Sequence, residues 1–485
     1  MSVDSSMNQS PKVARTTALL YGVGAVSNGI KDTGFNLFLL FFYTQVAGLS
    51  SGLAGTAILC ALIIDAVSDP LIGYLSDRSH TRWGRRHPFM YFAAIPMGLG
   101  FFYLFTPPDI LTETQLFMWM LCFASLTRFA MTFYQVPSTA MVAEISEDYD
   151  ERTWLSAIRV LAGWLGGLIF ATLSYLVFFR ASEIFSDGRF DPAAYHEFAL
   201  TGAIGIVLAI LVSSIGTHHL IPILIGRGEA KGSSSSPVRD FGNVIGNQPF
   251  MVLTAVIFIA ATTIGFTESV SLYMYTYFWG LTPEQLAAIT TSAALGALIG
   301  FAIVPALSKR FDKRPTLAAV IAILAIAYPL IIALRLTGII NPENVDLIFG
   351  LLTFNALISV VIAVVMTTLF VSMIADTIDY SELSTGQRQE ATFVSAFTFS
   401  FKATSGLGGF LTGIFLELVD FPTGAEVPDA IPQSTLELLG VSVAIAIFVA
   451  WILATFILRH YTLSRQAHAD ILAELRRKVE TAAPH

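Results

Sequence analysis

Residues 51–88 read SGLAGTAILCALIIDAVSDPLIGYLSDRSHTRWGRRHP, and this stretch decides the fold. From 53 to 75 it is apolar for long enough to cross a bilayer, which takes about 20 residues. Two carboxylates, Asp65 and Asp69, interrupt that run four residues apart. The run then ends in a loop carrying Arg78, Arg82, Arg85 and Arg86. An apolar helix followed by a short arginine-rich loop is a membrane span anchored on its positive side.

The rest of the chain repeats the pattern. Apolar runs of spanning length are expected at 17–45, 53–75, 88–107, 115–143, 154–179, 197–222, 249–278, 283–306, 315–336, 345–375, 392–418 and 436–459. Twelve such spans use about 240 residues, roughly half of the 485 present. The composition agrees: 54% of residues are hydrophobic and 13% charged, against about 25% charged in a soluble domain. The net charge of −8 supplies no basic footprint, so no nucleic-acid partner is expected. Cys60 and Cys122 both lie in apolar runs, and no disulfide framework is expected. No small-residue cleavage site follows the first apolar run, so no cleaved leader is expected.

Twelve spans put both termini on one side. Twenty Lys and Arg residues fall in segments on that side, three (Arg180, Arg189, Arg335) on the other, and four within spans. The bias predicts cytoplasmic termini. A Gly- and Ser-rich stretch, 226–242, separates spans six and seven and reads as a flexible linker. The expected organisation is a six-helix bundle over 1–222, a linker over 223–248, a second bundle over 249–460 and an amphipathic tail over 461–485. A short basic loop follows the second span of each half, Ser76–Pro88 and Ser308–Pro315, beside Gly73 in one half and Gly296 and Gly300 in the other. Two pseudo-symmetric bundles are the design of alternating-access carriers. A gate role is expected for these loops; the alternative is that they are stop-transfer charges that only fix orientation.

Ionisable groups inside a span cost about 3 kcal/mol or more and are functional by default. Asp65 and Asp69 share one helical face. Ser68 lies alongside, and Pro70 frees a backbone carbonyl upstream. Such a hard-oxygen cluster suits Na⁺ or H⁺, and two adjacent carboxylates favour binding one cation. The alternative is that each pairs with an arginine for assembly. Span four carries Arg128, Thr132, Gln135 and Thr139 on one stripe, and span one carries Asn28, Asp32 and Asn36 on another, with Lys31 beside Asp32. Arg159, Glu268 and Lys402 lie in spans five, seven and eleven. Lys402 is a candidate charge partner for Asp65 or Asp69 when no cation is bound. Most aromatic residues are expected at the lipid face or in interfacial belts. The run Tyr273, Tyr275, Tyr277, Phe278 and Trp279 suits either a substrate path or a belt. No P-loop, Cys/His metal cluster or nucleophile elbow occurs, so neither ATP-driven transport nor an enzyme is expected, and no cofactor is expected beyond a coupling ion, Na⁺, Li⁺ or H⁺.

Several stretches together resemble the glycoside–pentoside–hexuronide:cation symporters, the melibiose-permease branch of the major facilitator superfamily. They are Tyr21-Gly-Val-Gly-Ala, Phe42-Tyr-Thr-Gln-Val-Ala-Gly-Leu-Ser50, Asp65-Ala-Val-Ser-Asp-Pro70, Tyr134-Gln-Val-Pro-Ser138 and Glu151-Arg-Thr153 with Arg159. Asp376-Thr-Ile-Asp-Tyr380, Thr385-Gly-Gln-Arg388 and Lys402-Ala-Thr-Ser-Gly-Leu-Gly408 extend the match. The resemblance runs from about residue 17 to 418 and implies an all-α protein with the major facilitator fold. It implies symport of a sugar or glycoside with Na⁺, Li⁺ or H⁺. A monomer in the lipid bilayer is expected, and the low cysteine count and uncleaved start suit a bacterial inner membrane. By the resemblance Asp65, Asp69 and Thr132, with Ser68 beside them, hold the coupling cation, and Na⁺ would rest on the two aspartates. Ser68 stands where sodium-coupled relatives often have Asn. Substrate is expected near Asp32, Asn28, Gln135, Arg159, Lys402 and Arg128. Gating is expected from Asp77, Arg78, Arg85, Arg86, Glu144, Asp376 and Asp379. The family's two sugar-binding carboxylates correspond here to Gly29 and Gln135, so a galactoside is not implied. Two alternatives stay open: a carrier of a lysolipid-like amphiphile, and a receptor or scaffold that keeps the fold without transport.

Overall fold

The computed structural model describes residues 13–146, 148–222, 224, 246–386, 390–424 and 431–482. The expected linker over 223–248 lies almost wholly outside the described residues. All regular elements among them are helices. The first span is a run of short pieces, α1 (Arg15–Val23), α2 (Val26–Thr33) and α3 (Leu39–Phe41), with π turns at Gly34–Phe38 and Phe42–Val46. Then come α4 (Ser51–Arg78), α5 (His87–Leu104), α6 (Glu113–Ile145), α7 (Tyr149–Leu173) and α8 (Pro192–Gly216). The second half holds α9 (Gln248–Tyr273), α10 (Pro283–Arg310), α11 (Lys313–Leu336), α12 (Val345–Thr385), α13 (Glu390–Leu418) and α14 (Gln433–Leu458). A last helix, α15 (Arg465–Ala482), follows. Among the described residues nine helices are long and apolar enough to cross a membrane. The first span and α5 and α13 complete twelve.

The chain forms two compact units. One comprises residues 1–232 with short pieces at 282–290 and 422–426; the other comprises the remainder. Within the first, α2 packs on α7, α5 on α8 and α4 on α6. Within the second, α9 packs on α13 and α11 on α14. Counted as spans, the first two are one on five and three on six, matched by seven on eleven and nine on twelve, while α4 on α6 is two on four. The first two pairings recur in the second unit, as an internal repeat requires.

The repeat also shows in a turn. Span one ends Tyr43-Thr44-Gln-Val-Ala-Gly48-Leu49-Ser50, and span seven ends Tyr275-Thr276-Tyr-Phe-Trp-Gly280-Leu281-Thr282. Both close on a π turn. Both glycines adopt the left-handed region, with φ of 78° and 65°, where a Cβ is penalised. The next amide then donates six residues back, Leu49 N to Tyr43 O at 2.8 Å and Leu281 N to Tyr275 O at 2.9 Å. This satisfies a helix-terminal carbonyl that has no other partner inside the helix.

Small residues set the closest approaches. A Cβ on Gly29 would stand 2.1 Å from Gly163 O and 2.6 Å from Gly167 N, so α2 and α7 touch backbone to backbone. A Cβ on Gly296 would stand 2.5 Å from Leu357 O on α12. The aromatics depart from expectation. Phe38, Phe101, Phe105, Phe170, Phe179, Tyr195 and Phe198 form a buried cluster inside the first unit, with Phe38 centred 5.3 Å from Phe179 and 5.1 Å from Phe198. The Tyr273–Trp279 run is likewise packed inside the second unit. Tyr273, Tyr277, Phe278 and Trp279 are buried, Tyr277 meets Phe421 at 5.2 Å, and the Arg335 guanidinium sits 4.1 Å from the Phe278 ring. Mean apolarity could not separate a ring facing lipid from a ring facing a neighbouring helix.

Candidate functional site

The site begins with α4. Asp65 and Asp69 are one turn apart on it, and Ser68 is buried between them. The Ser68 hydroxyl donates to Asp65 O at 3.0 Å. The facing helix, α6, presents Thr132 from a fully packed position. Thr132 Oγ1 stands 3.1 Å from Asp65 Oδ1, 3.0 Å from Asp69 Oδ1 and 3.2 Å from Ser68 Oγ. One turn earlier on α6, Arg128 Nη1 reaches Asp65 Oδ2 at 3.3 Å. The four oxygen-bearing side chains expected around a coupling cation therefore share one locus. A hydroxyl has one proton to give, so Thr132 cannot donate to both aspartates together. Two carboxylates about one hydroxyl favour an added cation or proton.

The expected substrate residues divide. Arg128 is not on a separate face; it belongs to the aspartate cluster. Asp32 forms an ion pair with its neighbour Lys31 and is half exposed, while Lys31 is buried. Lys31 Nζ and the Arg128 guanidinium stand on the Phe35 ring at 5.9 Å and 5.1 Å. Asn28 Oδ1 is buried without a hydrogen-bond partner among the described residues. Gln135 lies on α6, half-buried. Arg159 donates to Thr139 Oγ1 at 2.6 Å and to Tyr21 OH at 3.4 Å. Thr139 is two turns from Thr132, about 10 Å along the helix, so Arg159 is set apart from the aspartates. The Lys402 side chain lies outside the described residues.

The expected gating residues form two separate clusters, one in each unit. In the first, Glu144 near the end of α6 accepts from Arg85 at 2.7 Å and from Arg86 at 2.8 Å. Arg86 also pairs with Asp77 at 2.7 Å. Arg78 is turned away and stacks on Tyr74 at 4.2 Å. In the second, Lys313 pairs with Asp376 at 2.7 Å. A basic group from the loop after the second span thus meets an acid near the end of the fourth span in both halves. Sequence reading missed one member. His468 on α15 lies 3.0 Å from Asp379 and 3.6 Å from Asp376. The tail's amphipathic pattern suggested only a surface element; a histidine on its apolar side was the available signal. Beside it, burial and the charges of Asp376 and Asp312 push the Tyr461 phenol up, so it stays protonated, 3.4 Å from Met373 O.

The chain resembles known transporters over nearly its whole length. The isoprimeverose transporter of Lactiplantibacillus pentosus is 28% identical over 383 residues, covering 78% of this chain and 75% of that one. The glucuronide carrier protein homolog of Escherichia coli is 24% identical over 488 residues, covering 98% of each. Among solved structures, a D-xylose–proton symporter superposes with a TM-score of 0.59 at 14% identity, over 89% of this chain and 97% of that one. That likeness concerns the fold, and the fold is the major facilitator fold. The family profile described as MFS/sugar transport protein matches residues 20–465. An integral, multi-pass membrane transporter, the chain belongs to the MFS/sugar transport protein family.

Proposed function

We propose that the protein is a secondary active transporter that couples entry of a cation, Na⁺ or H⁺, to symport of a sugar or glycoside by alternating access. The observation that carries this reading is the Asp65–Asp69–Thr132–Ser68 cluster within the bundle. Two carboxylates about a shared hydroxyl are costly inside a membrane protein unless a cation uses them. The relatives' cargoes, isoprimeverose and by homology glucuronide, indicate a glycoside. On this reading Asp65, Asp69, Thr132 and Ser68 take the cation. Asp32, Asn28, Gln135 and Arg159 face the substrate, and the orphaned Asn28 acceptor is suited to a sugar hydroxyl. The Glu144 and Asp376 clusters hold the loops that open and close. The protein works as a monomer without a cofactor or catalysis, in a bacterial inner membrane, with both termini in the cytoplasm; the bias of basic residues supports that orientation.

The test is uptake of isoprimeverose and a panel of glycosides into proteoliposomes under an imposed inward Na⁺ or H⁺ gradient. Accumulation that collapses with the gradient and is absent in Asp65→Asn is expected. Gradient-independent equilibration would sink coupled symport. A second reading, an amphiphile carrier, is favoured by Gly29: this position, which by the resemblance corresponds to a sugar-binding carboxylate, has no room for a side chain. Inhibition of uptake by lysolipids but by no sugar would select it.

A further inference from the structure

The substrate reading leaves Arg128 without a task, because its charged end is spent on Asp65. Arg128 is buried, with 4% of its surface exposed, and sits one turn before Thr132 on the same face. Its Nη1 is 3.3 Å from Asp65 Oδ2, while Asp65 Oδ1 points at the Thr132 hydroxyl. The guanidinium stands 5.1 Å from the Phe35 ring, on which Lys31 also rests. Its Nε has no hydrogen-bond partner among the described residues. The group is thus held by one carboxylate and one aromatic ring and is not locked by a full set of acceptors.

The charge count gives this position a consequence. Asp65 and Asp69 bring two carboxylates to the Thr132 hydroxyl, Arg128 brings a positive charge to Asp65, and Lys31 pairs with Asp32. An arginine cannot lose its proton in a protein, so its charge is permanent. We propose that Arg128 is a tethered counter-cation that sets the ion specificity of the Asp65–Asp69 pair, taking at Asp65 the place an alkali ion would take. The inference rests on the cation-site reading above. A fixed positive charge about 5 Å away weakens a second monovalent cation on the order of 100-fold at the effective dielectric of a protein site. The guanidinium also removes one of the few hard oxygens that Na⁺ needs in exchange for its hydration shell.

The experiment is thermal unfolding of the purified full-length protein in about 100 mM NaCl or LiCl against choline chloride. Wild type is expected to show no alkali-specific shift. Arg128→Gln is expected to gain a Na⁺- or Li⁺-specific rise of about 3 °C, and Arg128→Gln/Asp65→Asn to lose it. Arg128→Lys keeps the charge and should respond as wild type does. Phe35→Leu weakens the ring that holds the guanidinium and should gain part of the rise; it serves if Arg128→Gln does not fold. A wild-type protein already stabilised by Na⁺ or Li⁺ overturns the inference, and so does a folded Arg128→Gln that gains nothing. The parallel measurement is gradient-driven uptake by wild type and Asp69→Asn. If that uptake is gradient-dependent and needs Asp69 while Arg128→Gln gains nothing, the inference falls and symport stands. If the uptake ignores the gradient, the symport reading itself falls.

Discussion

Asp65 and Gly29 show what a single side chain can and cannot do here. The Asp65 carboxylate meets Arg128 on one oxygen and Thr132 on the other, so Asp65→Asn removes a charge and leaves the shape. We expect the variant to insert and fold, and gradient-driven uptake to fall to background; normal accumulation would remove Asp65 from the coupling site. At Gly29 the opposite holds. Gly29→Asp would add a carboxylate there, but its Cβ would collide with Gly163 O at 2.1 Å. Overpacking costs about 1–3 kcal/mol and more when backbone must move. The expected result is a loss of monodisperse protein on gel filtration with no gain in sugar binding. Helical phase put Asp65 and Asp69 on one face of span two, and Arg128 and Thr132 on one stripe of span four; that Thr132 joins the aspartates came from the family resemblance. Neither source paired Arg128 with Asp65, because phase gives the face of a residue and not the partner at the end of a long, flexible side chain.

Between elements, the paired clusters at Glu144 and Asp376 are the informative feature. Each ties the loop after the second span of its half to the end of the fourth. The parallel position of the two basic loops was visible in the sequence, and Glu144 and Asp376 stood among the expected gating residues; which basic group each acid meets was not visible, since nothing local marks which carboxylate a distant loop will reach. Glu144→Gln leaves Arg85 and Arg86 beside a neutral amide, and losing one partner of a buried ion cluster costs about 3 kcal/mol or more. We expect the unfolding midpoint to drop by about 5 °C or more. The second cluster separates charge from packing. Asp376→Leu alone strands Lys313 and should destabilise, whereas Asp376→Leu with Lys313→Met should recover most of the loss. A double variant as unstable as the single would mean that Asp376 acts through His468 and α15 instead. The turns ending spans one and seven make the same point about repeats. The Tyr-Thr…Gly-Leu-Ser/Thr recurrence stands in the sequence, yet aromatic residues at a span end also suit an interfacial belt. Only the shared π turn and left-handed glycine decide that both stretches build a buried corner.

Over the whole molecule, orientation is set by a sum and not by any one residue. Twenty basic residues in segments on one side against three on the other is a bias that no single loop carries. For this reason the span count was legible where side-chain partners were not: one missed helix would reverse the assignment of every later loop and erase the bias. The same logic makes the count testable. The chain has two cysteines, Cys60 and Cys122. A Cys60→Ser/Cys122→Ser background carries single reporters at Ser186, before span six, at Ser234 in the linker, and at Ser464, after span twelve. Ser186 is exposed. With twelve spans and the termini inside, a membrane-impermeant maleimide added to intact cells should label Ser186→Cys and spare the other two until the membrane is opened. Labelling of Ser464→Cys in intact cells, with Ser234→Cys protected, would mean an odd number of crossings in the second half. The paired spans of the repeat would then lack a member, and the symmetry on which alternating access depends would be lost with it.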